Sequence, residues 1–169
     1  PVLSVNWRRK LAGVEDLTHV YLLNPSGEEA SVHTLVYVQG QLQKMDMVIN
    51  KVTSDNVDAF WHLLERYSSF VDREYYERCM ERQDIGDLDI YVVSLPDAGM
   101  VGHCILNWIP RYAVFKTLGL PEIQDLNVVS DYRRRGIGQA LIEYCEDYAV
   151  QKGHDTMGIG VGLDHSFGA

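Results

Sequence analysis

Three consecutive arginines, Arg133, Arg134 and Arg135, stand directly before Gly136 and Gly138 in the stretch SDYRRRGIGQALIEY, and an amphipathic helical pattern follows at once. A turn from strand to helix leaves the first backbone N–H groups of the helix without partners and focuses about half a positive charge there. Such an end binds phosphate. Gly136 and Gly138 remove the Cβ that would hold an anion off the backbone and tolerate positive φ. The arginines add charge-assisted hydrogen bonds of roughly 1.5–3 kcal/mol each. The stretch reads as a phosphate cradle. It is not the dinucleotide fingerprint, whose third glycine would fall at Leu141, and no lysine follows the glycines as a Walker loop requires. The second glycine-rich run, GIGVGL near the end, lies inside a strand pattern with no helix after it.

The elements around the cradle can be read from hydrophobic periodicity. Val48 to Val52 predicts a short strand. A helix capped by Thr53 or Ser54 follows, with Val57, Phe60, Trp61 and Leu64 on one face. REYYERCMERQD, from Arg73, predicts a second, highly charged helix. LDIYVVSL and VGHCILNW around PDAGM predict a hairpin. Pro110 to Leu120 reads as a loop, Ile123 to Val128 as a strand, and the helix after the glycines places Leu141, Cys145, Tyr148 and Ala149 on one face, with Gly153 as its C-cap. A last strand spans Met157 to Val161. Upstream, THVYLLN and SVHTLVYVQGQLQ flank PSGEEA as a hairpin without chemical motif, extra sheet or a dimer arm. The expected fold class is α/β: a mixed, mostly antiparallel central sheet flanked by helices, with a parallel strand–helix–strand unit carrying the cradle.

Composition bounds the function. The chain of 169 residues is 46% hydrophobic and 23% charged. It shows no secretory signal and no apolar run near the roughly 20 residues of a membrane span, so the cytoplasm is expected and a membrane is not. Cys79, Cys104 and Cys145 form no CxxC pair and the six histidines show no HxH or HExxH spacing. Buried thiols are expected, and no metal. Net charge is −9, from 15 basic and 24 acidic side chains. That argues against nucleic acid as a partner and suits cationic substrates such as amines, or solubility alone.

The cradle resembles the acyl-CoA loop of the GNAT superfamily of N-acetyltransferases, whose pattern [RQ]-x-x-G-x-[GA] is matched by Arg133-Arg134-Arg135-Gly136-Ile137-Gly138. Val128 and Tyr132 match the upstream valine and tyrosine, while Ser130 replaces the common proline. The resemblance covers Met47 to Ala169. It implies a GNAT-like acetyltransferase domain at 47–169 after an N-terminal extension at 1–46. It also implies acetyl-CoA as acyl-donor cosubstrate, a small-molecule or peptide amine as acceptor, and an acetyl transfer to that amine. The pyrophosphate would be held by backbone N–H groups from Arg134 through Ile137 and Gly138 to Gln139. Backbone groups of Leu126 and Val128 would bond the thioester end. The pantetheine arm would enter where the strand IQDLNV splays from MGIGV.

Attack on a thioester needs a neutral amine. At pH 7 an alkylammonium of pKa about 10.4 is neutral only about once in 2,500 molecules, equivalent to about 4.6 kcal/mol, so a base is expected. Glu122 opens the strand where some family members place a glutamate base. It stands roughly 13 Å along the strand from Leu126, which calls for a relaying water. Asp125 is closer, but strand alternation turns it to the opposite face. Asp72, Glu74 and Glu77 either line an amine pocket or form a solvated helix face, and His103 reads as a satisfied core or edge histidine.

Many members also carry a tyrosine general acid on a helix after the fifth strand, followed by two strands. The sequence ends at LDHSFGA, where that helix would begin. The expectation is a domain lacking these elements, a fragment, a sheet completed by the N-terminal hairpin, or one completed by a homodimer partner. A catalytically inactive acyl-CoA-binding or sensory module is the alternative function.

Overall fold

The structure, a computed structural model, describes residues 18–23, 29–38, 41–67 and 71–159. Among the described residues, seven strands form one sheet in chain order: β1 (Thr18–Leu23), β2 (Glu29–Val38), β3 (Gln41–Lys51), β4 (Leu88–Leu95), β5 (Gly99–Asn107), β6 (Glu122–Val128) and β7 (Gly158–Ile159). Each neighbouring pair is antiparallel except β6 and β7, which are parallel across a helical crossover. This is the mixed, mostly antiparallel sheet that the apolar runs imply. The helices are α1 (Val57–Glu65), α2 (Arg73–Asp84), α3 (Ala113–Leu118) and α4 (Ile137–Gln151).

Period-two alternation in β4 divides the core between the two faces of the sheet. Tyr91 and Val93 join Leu106, Leu141, Tyr144 and Cys145 beneath α4. Ile90 and Val92 join Phe60, Leu63, Leu64 and Cys79 beneath α1 and α2. A strand buried on both faces reads as a continuous apolar run, which is why LDIYVVSL shows no alternation in the sequence. The α2 helix is tied to the sheet by Gln83, whose Nε2 donates to Val52 O and whose Oε1 accepts from Ile90 N, both at 2.8 Å.

Several boundaries differ from the sequence reading. Neither Thr53 nor Ser54 caps α1. Asn56 takes the N-cap position, with its Oδ1 accepting from Thr53 N at 2.8 Å and its Nδ2 donating to Lys51 O at 3.0 Å. Asn56 thereby closes the turn between β3 and α1, and its side chain is spent on that turn. The tail QLQ of the second N-terminal run belongs to β3, a strand that continues without a break into the stretch read as a separate short strand from Val48. Pro110 to Leu120 contains α3, closed by Gly119 at φ +64°. A six-residue helix is too short to show a periodicity. Gly153 does end α4: at φ +90° it donates to Val150 O while His154 N reaches Ala149 O, satisfying two orphan carbonyls.

The N-terminal strands stand at the end of the sheet opposite β7. They therefore do not take the place of strands beyond β7. The last strand is described at Gly158–Ile159, so Met157 precedes it, and positions 160–161 of the stretch read as Met157 to Val161 lie outside the described residues.

Candidate active site

The cradle begins where β6 ends. A 3-10 turn, Ser130–Tyr132, leads to Arg134 at φ +60° and Gly136 at φ +79°. Gly136 is the N-cap of α4, in a left-handed conformation that a residue with a Cβ adopts only under strain, and it supplies no side-chain cap. The first helical bond, Ala140 N–H to Gly136 O, spans 2.9 Å. The N–H groups of Ile137, Gly138 and Gln139 therefore precede the intrahelical ladder. Arg133 Nε donates to Val128 O at 2.9 Å, and Arg135 Nη2 donates to Asp131 O at 2.9 Å with its guanidinium 5.3 Å from the Tyr132 ring centre. These two arginines brace the turn while remaining exposed, as Arg134 is. The donor set, bare at the N-cap and flanked by three exposed guanidiniums, fits a pyrophosphate-sized anion.

Strand β6 carries the second half of the site. Ile105 pairs with Gln124 and His103 with Asn127, so Cys104 faces two residues, Asp125 and Leu126. This is a β-bulge. Asp125 absorbs the extra residue at φ +49°, a region that Asp and Asn enter more readily than other side chains. The bulge breaks the alternation on which the sequence reading relied. Leu126 and Val128 pack toward α4, while Asp125 turns to the α1/α2 face. The expectation that Asp125 faces away is overturned for that reason. Beside the bulge, Gly102 lies so close to β6 that an added Cβ would stand 3.1 Å from Asn127 O and 3.1 Å from Val93 Cγ1.

Asp125 sits in a polar network. Its Oδ2 accepts from the Tyr76 hydroxyl at 2.5 Å and faces His103 Nε2 at 3.2 Å, and its Oδ1 accepts from Asn127 Nδ2 at 2.8 Å. Because a carboxylate oxygen offers only lone pairs, Nε2 of the fully buried His103 must carry a proton. His103 Nδ1 lies 3.3 Å from the Tyr67 hydroxyl, and Phe60, Tyr67 and Tyr76 ring the imidazole at 5.4–5.8 Å between centres. Burial alone would raise the Asp125 pKa. The hydrogen bond and charge of His103, with the bonds from Tyr76 and Asn127, outweigh it and hold the carboxyl below its ordinary range. Burial first, and the Asp125 charge after it, push the hydroxyls of Tyr67 and Tyr76 far up; burial also raises Tyr75. All three tyrosines stay neutral donors at physiological pH.

These residues line a cavity of about 420 Å³ between α1, α2 and β6, walled by Leu64, Tyr67, Val71, Asp72, Tyr75, Tyr76, Asp125 and Asn127. Of the two candidate bases, only Asp125 reaches it. Glu122 is buried on the same face of β6 but ends a chain of hydrogen bonds. Arg82 Nη2 donates to Asn107 Oδ1 at 3.0 Å, Asn107 Nδ2 to Gln124 Oε1 at 3.1 Å, and Gln124 Nε2 to Glu122 Oε2 at 2.6 Å. The direction of every donor in that chain terminates on the Glu122 carboxylate. Asp72 lines the cavity and caps α2 by accepting from Tyr75 N at 3.0 Å, whereas Glu74 and Glu77 are exposed on the helix.

Tyr67, Tyr75, Tyr76 and Asn127 were not singled out from the sequence. The adjacent tyrosines in REYYERC, three and four residues before Cys79, mark a buried stripe on a charged helix, but only the docking of that helix brings them to β6. Among the described residues no group of three His, Cys, Asp or Glu side chains could hold a metal ion, and no helix is long and apolar enough to cross a membrane.

The GNAT family acetyltransferase model matches residues 57–167. An uncharacterized N-acetyltransferase of Methanocaldococcus jannaschii is 30% identical over 127 residues, 69% of this chain and 54% of that protein. One from Archaeoglobus fulgidus is 27% identical over 128 residues, 69% of this chain and 82% of that protein. The chain thus spans about half the length of the first relative and most of the second. Among solved structures, AAC(6')-Iy in complex with the bisubstrate analog CoA-S-monomethyl-acetylneamine aligns with a TM-score of 0.59 at 14% identity, covering 72% of this chain and 83% of that one. The ribosomal-protein-alanine N-acetyltransferase from Brucella melitensis biovar Abortus 2308 aligns at 0.54 and 20%, covering 72% and 84%. At such identities these two likenesses speak for the fold alone. The family model spans more than half of the chain, including both the cradle and the bulged strand: the chain belongs to the GNAT family of acetyltransferases.

Proposed function

We propose that this protein transfers the acetyl group of acetyl-CoA to a primary amine of a small molecule or peptide. The observation that carries the reading is the placement of two complementary sites on one strand. The end of β6 feeds the anion cradle, and its bulge turns a carboxylate into an adjoining cavity on the other face. A structural neighbour solved with a CoA-containing bisubstrate analog supports the choice of donor. Backbone N–H groups at Ile137, Gly138 and Gln139, with the arginines beside them, would hold the pyrophosphate, and the thioester supplies an activated acyl carbon.

In the transfer, the amine nitrogen forms a bond to the acetyl carbon, the carbon–sulfur bond breaks, and sulfur leaves with its electron pair and takes up a proton. The nitrogen gives up a proton. Asp125 is a poor base for the free ammonium. From an ordinary carboxylate to an alkylammonium the gap is about 6.5 pKa units, on the order of 9 kcal/mol, and the hydrogen bonds to Asp125 widen it. Delivering the amine as its free base at pH 7 takes only about 4.6 kcal/mol. The role that fits Asp125 is therefore electrostatic. It faces the nitrogen as positive charge develops there on bond formation, and receives the proton once that bond has made it acidic.

The test is release of free CoA thiol from acetyl-CoA on addition of amines, alongside acetyl-CoA binding read as a rise in melting temperature. Gly136→Val is expected to abolish that rise. Binding without thiol release for any amine would favour an acyl-CoA-binding module, and an unchanged rise in the variant would place the donor elsewhere.

A further inference from the structure

We propose that the acceptor is a monocationic amine carried on a compact apolar body, of the arylalkylammonium or short alkylammonium type, with its ammonium on Asp125 and its body among Tyr67, Tyr75 and Tyr76. This rests on the acetyltransferase reading and narrows it. The cavity is the size of small-ligand sites, which run to several hundred Å³. Its described lining is two aliphatic side chains, three tyrosines, two carboxylates and Asn127, with no lysine or arginine among these described residues. An anionic or phosphorylated acceptor would meet two carboxylates there with no lysine or arginine on the described lining to offset them.

The polar capacity of the cavity suits one cation. A carboxylate has about four acceptor positions. On Asp125 three are filled, by Tyr76, His103 and Asn127, which leaves one for an incoming N–H. Asp125 is the inner carboxylate, its side chain 24% exposed. The other, Asp72, is exposed and spends Oδ1 on the α2 cap. A polycation would find one inner seat and, at Asp72, only a solvent-screened contact at the exposed rim, which is worth little. The tyrosine hydroxyls are held protonated and partly committed: Tyr76 to Asp125, Tyr67 to Asn127 O at 3.3 Å. What the rings present is aromatic surface, which attracts a cation and packs an apolar body. A peptide backbone needs its N–H and C=O groups matched, and among the described lining residues the one side-chain amide is that of Asn127.

The experiment is calorimetric titration of the full chain with four probes: 2-phenylethylamine, its uncharged isostere 2-phenylethanol, 1,4-diaminobutane, and a tripeptide with a free N-terminal alanine. The amine is expected to bind saturably and at least about tenfold tighter than the alcohol, the range of one desolvated cation–aromatic and ion-pair contact. Asp125→Asn should cut that difference to the part the rings supply, while leaving the alcohol nearly unchanged. Tyr75→Ala should weaken both. Asparagine tolerates the positive φ at this position, and the amine–alcohol comparison on the unmutated protein stands even if a variant folds poorly. Equal binding of amine and alcohol, tighter binding of the diamine or the tripeptide, or no binding of the amine would overturn the proposal. Acetyl-CoA binding and thiol release are read separately, so loss of the amine proposal and loss of the acetyltransferase reading give different patterns.

Discussion

Asp125 and Glu122 are both carboxylates on the α1/α2 face of one strand, and their surroundings give them different work. Asp125 is held by three donors and keeps one acceptor position toward a cavity. Glu122 closes a chain of amides that begins on α2. Replacing Asp125 with asparagine should lower kcat/KM for the amine by about 10²–10³-fold, the usual effect of removing one preorganised electrostatic group. Glu122→Gln should leave kcat within a few-fold and act mainly on stability, because it disturbs the Gln124 and Asn107 amides. Steady-state kinetics on both variants decide the matter, and the reverse ranking would move the catalytic carboxylate to Glu122. Because the amine seats as its ammonium and must lose that proton to solvent before it attacks, the unmutated kcat should climb about tenfold per pH unit through neutrality, and the Asp125→Asn value should climb in parallel below it. Asp125 also carries a stability consequence. Its folded-state pKa lies below the unfolded one, so its contribution is fully present above about pH 4 and is lost as pH falls through the folded value. Thermal melts between neutral and acid pH should therefore show a shallower acid loss for Asp125→Asn than for the unmutated chain.

At the scale of elements, the bulge in β6 is the feature on which the site depends, and the sequence marks it only faintly. In EIQDLNV the apolar residues fall at Ile123, Leu126 and Val128, so the adjacent polar pair Gln124 and Asp125 shifts the phase of the strand by one residue. Strict alternation counted through that pair sends Asp125 to the wrong face, and aspartate is among the few side chains that accept positive φ. The cradle was legible because its chemistry is local: glycine at the N-cap and arginines beside it state their backbone requirement directly. The hairpin was legible as two continuous apolar runs around a turn, and α4 because its buried residues follow the helical period. The tyrosine walls were not, since their position follows from how α2 packs. Gly102 connects these observations. A Cβ there would press on Asn127 O, the carbonyl beside the bulge that also accepts from Tyr67. Gly102→Val should destabilise the fold by about 1–3 kcal/mol, as overpacking does. It should also displace Asp125 and Asn127 and so depress amine turnover more than acetyl-CoA binding. Gly138→Ala is the contrast for the fold, since its Cβ would meet Val128 and Leu126 side chains at an ordinary 3.8–4.0 Å; the melting temperature should change little.

Over the whole molecule the two proposed substrates meet opposite fields. The chain carries a net charge of −9, yet three arginines gather at the start of α4, and the other face of the sheet opens on Asp125 with Asp72, Glu74 and Glu77 on α2. A cationic acceptor is drawn by the global charge and by the cavity together, whereas an anionic donor is repelled at long range and held only at the cradle. Long-range attraction of this kind is screened within about 10 Å at 0.1 M salt. It acts on encounter and leaves the bound reaction nearly untouched. Raising ionic strength from about 0.02 M to about 0.5 M should therefore lower kcat/KM for a cationic amine by several-fold, up to about tenfold, with kcat nearly constant. The drop should shrink in Asp125→Asn, where the local end of the field is gone, but should not vanish, because the net charge remains strongly negative. Initial-rate measurements across that salt series at saturating acetyl-CoA carry the test. If kcat falls in step with kcat/KM, or if the salt dependence is flat, the acidic surface serves solubility and contributes nothing to the capture of the acceptor.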